Sequence, residues 1–259
     1  MSQTTKTTGR KNRSLKVRIA AALVLFCLVL GLGVGLGLTW TGIVKLTPYD
    51  SLAVKQKLAP KQSERQIANG ASVFIRIFKA SAELELWMQN IKGQWQLFEI
   101  YPICYFSGQL GPKLKEGDKQ SPEGFYEVSQ SQMNPNSTYH LSFNLGFPNK
   151  FDRANGRTGS YLMVHGNCVS IGCYAMTDEK IEEIYTLANA ALNNTQTSFQ
   201  VHVFPFRMSK ENMAAYADSK WLGFWQNLKQ GYDYFEQHKQ PPNITIAGRK
   251  YQVSDVQSP

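Results

Sequence analysis

The run from Ile19 to Trp40 constrains this chain most, because its 22 residues carry no charge and are dense in Leu, Val and Ala. About 20 apolar residues suffice to cross a bilayer as a helix. Before it, residues 1–18 hold Lys6, Arg10, Lys11, Arg13, Lys16 and Arg18 and no acid. A basic flank of this kind stays on the cytoplasmic side, so one transmembrane helix over 19–40 is expected, with residues 41–259 beyond the membrane. The alternative is a cleaved signal segment, which Gly33, Gly35 and Gly37 would suit. Against cleavage, a signal core runs to roughly 7–15 residues, and no clear Ala-x-Ala site follows. Cys27 lies inside the run behind bulky Phe26, where packing in lipid is its ordinary role.

The same division explains the charge. The whole chain carries +9, but six basic residues sit in 1–18, which leaves 22 basic and 19 acidic residues after them. That mildly basic remainder offers no footprint for nucleic acid. Residues 41–71 are polar and weakly periodic, with Pro48 and Pro60 and a helix-compatible stretch between them, and read as a linker. Beyond them about 190 residues remain, enough for one domain with its own core.

From Ser72 the pattern is that of strands. Val73, Ile75 and Ile77 alternate with Phe74, Arg76 and Phe78; Leu84 and Leu86 alternate with glutamates; Asn90 to Gly93 reads as a hairpin turn before Gln94 to Tyr101. Phe125–Val128, 138–143 and Phe199–Phe204 add further strands. Ile181, Ile184, Tyr185, Ala188 and Leu192 follow helical spacing, with Thr177 or Asp178 as N-cap. In 208–240, Trp221, Phe224, Trp225, Leu228, Tyr232 and Phe235 share a helical face, which at that spacing is core. His202 alternates with the apolar residues of its strand and is expected to face solvent or the site. The tail 241–259 carries no functional signal. A β-rich α+β fold with appended helices is expected, its sheets forming a sandwich or barrel.

Nearly all the reactive chemistry gathers in His165-Gly166-Asn167-Cys168-Val169-Ser170-Ile171-Gly172-Cys173-Tyr174. Ser160 to Val164 is an apolar strand-like run, so His165 should end a buried strand, while Cys173 lies in a glycine-containing turn before the next helix. Gly172 permits backbone conformations that a side chain forbids, so amides near Cys173 could face a developing oxyanion. A thiol with an ordinary pKa of about 8.5 needs a neighbour to become thiolate at neutral pH, and His165 is the imidazole nearest in sequence. Cys104, Cys168 and Cys173 are an odd number for an oxidising compartment, so one should be free. Cys173 is taken as that one; Cys104 and Cys168 are a candidate disulfide, with two buried free thiols as the ordinary alternative. His165, Cys168 and Cys173 could instead supply three metal ligands, but no fourth is near in sequence and no metal or cofactor is expected.

The stretch resembles the L,D-transpeptidases, or YkuD-domain proteins, through His165 and Ser170-x-Gly172-Cys173. It is similar in particular to their YafK-like branch, through Ser107-Gly108-Gln109-Leu110-Gly111-Pro112-Lys113, Gly117-Asp118, Ser121 to Tyr126, Pro148-Asn149 and Cys173 to Asp178. The likeness covers most of 72–207, which it identifies as the catalytic domain with an L,D-transpeptidase-like sheet architecture. Two features depart from the wider pattern: Ile171 replaces the histidine before Gly-Cys, and seven residues separate His165 from Cys173.

The resemblance implies a periplasmic enzyme of the cell wall acting on peptidoglycan stem peptides. In it His165 deprotonates Cys173, the Gly166 carbonyl orients the imidazole, and amides of the Gly172-Cys173 turn hold the oxyanion of a reaction that leaves a thioester. Ser170, Lys113, Asp118, Glu123, Asn149 and Arg153 are expected to line the groove for the charged peptide. Attack of an amine on the thioester would give a cross-link, or a lipoprotein joined to peptidoglycan. Attack of water would make the same site an amidase or L,D-carboxypeptidase, able to release such a lipoprotein, and the short His165–Cys173 interval would leave the acyl group more open to water than in longer-motif members. A peptidoglycan-binding module without catalysis is the non-enzymatic alternative.

Overall fold

The computed structural model describes residues 49–255. The apolar run 19–40 and its basic flank lie outside them, and among the described residues no helix is long and apolar enough to cross a membrane.

Two five-stranded sheets carry the fold, which is sheet-rich and mixed α+β. The meander of β1 (Val73–Phe78), β2 (Glu83–Gln89) and β3 (Trp95–Pro102) forms as the alternation requires, with the turn at 90–94 between β2 and β3. The chain then lays down β4 (Tyr105–Phe106), β5 (Gly124–Ser129), β6 (Met133–Ser137), β7 (His140–Asn144), β8 (Met163–His165), β9 (Tyr174–Ala175) and β10 (Ser198–Phe204). The first sheet runs β3-β2-β1-β10-β5, with β1 parallel to β10; the second runs β4-β9-β8-β7-β6, with β8 parallel to β9. β6 sits at an edge, where Pro135 costs no ladder hydrogen bond.

The main core lies between the sheets. Val73, Ile75 and Ile77 of β1 and Val201 and Val203 of β10 pack in one cluster with Phe143, Val164 and Tyr174 of the other sheet. Of the helices α1 (Ser51–Glu64), α2 (Lys150–Ala154), α3 (Asp178–Leu192), α4 (Lys210–Ala215) and α5 (Leu222–His238), α3 adds Ile181, Ile184 and Ala188 to this core. Phe78, Phe125 and Phe204 meet Trp225 and Leu228 of α5 in a second cluster on the outer face of the first sheet. β1 is thus buried on both faces, and its one cation, Arg76, is matched by Glu85 at 2.7 Å and Glu236 at 2.7 Å. The aromatic stripe of α5 is core, as its spacing implies.

Three expectations change. Residues 49–71, read as part of a linker, carry α1, whose Val54 and Leu58 are buried, and Ile67 beyond it also joins the main core. Pro60 lies inside that helix rather than at its boundary. The tail forms a hairpin of β11 (Asn243–Ala247) and β12 (Lys250–Ser254), and Tyr251 inserts into the outer cluster against Phe151 and Phe125. His202 faces neither solvent nor the site. It is fully buried among Phe74, Phe125 and Phe204, its Nε2 is 2.8 Å from Gln200 Oε1, and burial holds its pKa well below the ordinary value.

Candidate active site

The histidine is placed by strand pairing. In β8, Val164 is wholly buried and points into the core, so Met163 and His165 point to the opposite face. β7 sets Ser142 opposite His165, and β9 sets Ala175 beside it, so Cys173, two residues before Ala175, belongs to the face that holds the imidazole. His165 Nδ1 lies 2.6 Å from the Gly166 carbonyl. A carbonyl only accepts, so Nδ1 carries the proton and Nε2 is the basic nitrogen. Burial lowers the His165 pKa, with the Gly166 carbonyl opposing, and the ring is neutral at neutral pH. Tyr139 covers it, with ring centroids 4.8 Å apart.

Glycine is required beside it because the chain is crowded there. A Cβ at Gly166 would stand 2.6 Å from Asp178 Oδ1 and 3.0 Å from Tyr139 O. Asp178, the first residue of α3, instead accepts the Asn167 N–H at 2.7 Å and ties the turn to the helix. It is Thr177 that occupies the N-cap position of α3. Cys168 is joined to Cys104 in a disulfide, with Cα atoms 5.3 Å apart, which resolves the cysteine pairing and removes Cys168 as a metal ligand.

Cys173 is the free cysteine of the described residues. Its turn depends on Gly172 at φ +109°, a conformation L side chains avoid. Three hydroxyls clasp this turn. Ser170 Oγ donates to Cys173 O at 2.8 Å, Ser121 Oγ donates to the same carbonyl at 3.0 Å, and the Gly172 N–H donates to Ser107 Oγ at 2.6 Å. Ser170 therefore shapes the turn through the backbone. The Gly172 amide, expected to face an oxyanion, is engaged by Ser107, a residue that sequence reading left without a role.

The sulfur takes an N–H from Met163 at 3.4 Å and donates toward Tyr161 O at 3.6 Å. Burial pushes the Cys173 thiol up, opposed by the Met163 amide and the charge of Lys113, so the expected depression of its pKa does not occur. The resting pair is a neutral thiol and a neutral imidazole. Among the described residues no hydrogen bond joins them, and a catalytic contact of this kind commonly tightens only when substrate binds.

Of the residues expected in the groove, Lys113 is near enough for its charge to act on the thiol, and Asp118 holds it at 2.5 Å. Asp118 also accepts the amides of Leu114, Lys115 and Gln120; burial would raise its pKa, but Lys113 and these amides bring it below the ordinary range. Glu123 is wholly buried instead. It pairs with Lys79 at 3.1 Å and accepts from Gly111 N and Trp225 Nε1. Asn149 caps α2 and bonds Phe125 O and the Tyr251 hydroxyl, and Arg153 is exposed on α2 and donates to Pro148 O. A cleft that includes Tyr161 and Met163, whose backbones touch the thiol, is lined also by Ser131, Gln132, Met133, Asn134, Ser142 and Asn144, and by none of the six residues expected in the groove. Amide and hydroxyl side chains on β6 and β7 gave no catalytic signal in sequence; the pairing of β7 with β8 sets Ser142 opposite His165 and Asn144 opposite Met163.

The family model described as the L,D-transpeptidase catalytic domain, YkuD, matches residues 73–203. Over 194 residues the chain is 47% identical to a protein of Escherichia coli K12 named "Putative L,D-transpeptidase YafK", covering 75% of this chain and 78% of that one. The counterpart in Escherichia coli O157:H7 matches with the same figures. Among solved structures, the helical cell shape determining protein Pgp2 of Campylobacter jejuni is similar at 18% identity and a TM-score of 0.42, over 73% of this chain and 80% of that one. By the match to its model and the identity to its members, the chain belongs to the YkuD family of L,D-transpeptidase catalytic domains.

Proposed function

We propose that the protein is a cysteine-dependent acyltransferase of peptidoglycan stem peptides, working through a thioester at Cys173. The observation that carries this reading is a free thiol on a glycine turn, sharing one sheet face with an imidazole whose Nδ1 is committed and whose Nε2 is available as base. Rotation of the thiol away from Tyr161 O lets its proton pass to His165 Nε2 as sulfur attacks the carbonyl on the L-centre of the third-position diaminopimelate. Collapse of the tetrahedral oxyanion breaks the C–N bond. The departing amine takes the proton from His165, and an acyl-enzyme remains.

An amine acceptor then yields a cross-link or a peptidoglycan-linked lipoprotein, and water yields a shortened stem or a released lipoprotein. One observation favours water as a second reading: the interval between His165 and Cys173 folds into a short loop whose Val169 and Ile171 point outward, 53% and 77% exposed. The basic flank and apolar run before the domain support a single-pass anchor in the cytoplasmic membrane with the domain in the periplasm, and the Cys104–Cys168 disulfide suits that oxidising compartment.

The test is mass spectrometry of products from lipoprotein-bearing sacculi and tetrapeptide muropeptides, with wild type and Cys173→Ala. New cross-links or amine exchange, absent in the variant, establish a transferase. Release of lipoprotein or D-alanine alone establishes a hydrolase. Identical products from both proteins would leave a wall-binding module and contradict the cysteine mechanism.

A further inference from the structure

The Gly172-Cys173 peptide is held by three serines, and their protons are not used alike. The hydroxyls of Ser170 and Ser121 both spend their protons on the Cys173 carbonyl. Ser107 does the reverse: its Oγ accepts the Gly172 N–H at 2.6 Å, and its own proton has no acceptor among the described residues. Its position is set by its backbone, since Ser107 N–H donates to Ser121 Oγ at 3.2 Å and Ser107 O accepts from Ser121 N at 3.0 Å. The segment behind it is fixed from below by the buried Lys79 ammonium, which donates to the carbonyls of Gln109, Gly111 and Ser121.

A donor for an oxyanion has to be in place before the charge develops. Of the amides of the Gly172-Cys173 turn, the expected donors, that of Gly172 is already engaged. Resting on the acyl-transfer reading above, we propose that the Ser107 hydroxyl is itself a catalytic oxyanion donor, polarised by the Gly172 N–H behind it and directing its free proton at the acyl oxygen. Amide, hydroxyl and oxyanion then form one chain in which each bond strengthens the next. As the S–C bond forms, the carbonyl π pair moves onto oxygen and accepts the Ser107 hydrogen bond without taking the proton. As the pair returns, the bond to the leaving group breaks and the contact relaxes.

Two reactions of Cys173 separate this role from a structural one. Acylation by p-nitrophenyl acetate passes through an oxyanion and releases p-nitrophenolate; alkylation by iodoacetamide displaces iodide and forms none. In the full chain, Ser107→Ala is expected to slow acylation about 10²-fold, the scale of losing one oxyanion donor, while alkylation stays within about 2-fold of wild type. Ser107→Thr, which keeps a hydroxyl, should recover most of the acylation rate, and the melting temperatures of both variants confirm that they fold. Unchanged acylation in Ser107→Ala would overturn the proposal and return the role to the freed Gly172 amide. Equal slowing of both reactions would overturn it too, since Ser107 would then act only on the nucleophile. A wild type that alkylates but never acylates would refute the acyl-transfer reading, which is distinct from a failure of Ser107 alone.

Discussion

Two loops meet at Cys173, and they are secured by different means. The segment 107–121 is anchored by buried charge: Lys79 beneath it, matched by Glu123, and Lys113 with Asp118 at its turn. The segment 166–172 contains no charged residue. It is tied at its ends by the disulfide, by Asp178 on the Asn167 amide and by Ser107 on the Gly172 amide, while Val169 and Ile171 stand in solvent between these ties. A wall that must hold donors and a cation in place is bolted to the core. The second loop is fixed only at these ties, and its apolar tips are left open.

The largest effect should come from unbolting the first loop. Lys79→Met leaves Glu123 buried without its cation, and removing one member of a buried pair typically costs about 3–5 kcal/mol. Urea unfolding should show a loss of this size; a loss below about 1 kcal/mol would mean that the loop does not rest on this pair. Opening the second loop should cost slightly less. The disulfide joins residues 64 apart, and its removal in Cys104→Ser/Cys168→Ser is expected to cost about 2–5 kcal/mol, read as a fall in melting temperature under oxidising conditions.

A pH profile compares the charges the two loops present to the thiol. With His165 lowered and Cys173 raised, both by burial, the pH window in which both groups are neutral is wider than for the free imidazole and thiol. Acylation should be flat across that window, fall on the acid side as the imidazole takes a proton, and change on the alkaline side as the thiol ionises. A rise centred between those limits would instead mark a thiol activated by a lowered pKa. Removing Lys113 in Lys113→Met should raise the thiol further, because its charge is one of the two effects that oppose burial. The smallest effect belongs to the open tip: Ile171→Ser should change stability by less than about 0.5 kcal/mol, as at other exposed positions. If it nevertheless raises KM for muropeptides, the tip contacts substrate.

What the chain discloses before folding follows the same division. Periodicity revealed β1 to β3, α3 and the aromatic face of α5, because each repeats with the period of its own element. The end of β8 at His165 was legible from a short apolar run, although only Met163–His165 pairs as strand. α1 was legible only as a helix-compatible stretch between Pro48 and Pro60, because a mostly polar helix that buries little beyond Val54 and Leu58 shows almost no stripe. The β11–β12 hairpin had a signal that went unread, with Ile244 and Ile246 alternating before the turn at Gly248 and Tyr251 and Val253 after it. Glu123 was misplaced because a charged residue in a polar loop looks solvated, and its partner Lys79 lies 44 residues earlier, beyond any local pattern. Ser107 was hidden for the same reason, since only the folded chain carries it to Gly172 across 65 residues.

The central claim is that Cys173 and His165 form one acylating pair. Intact-protein mass spectrometry of the full chain, quenched in acid after mixing with tetrapeptide muropeptide, tests it directly. Wild type is expected to carry a thioester that maps to Cys173 and is discharged by hydroxylamine, Cys173→Ala to carry none, and His165→Ala to form it about 10²–10⁴-fold more slowly. An adduct that persists in Cys173→Ala, or forms at an undiminished rate in His165→Ala, would contradict the account.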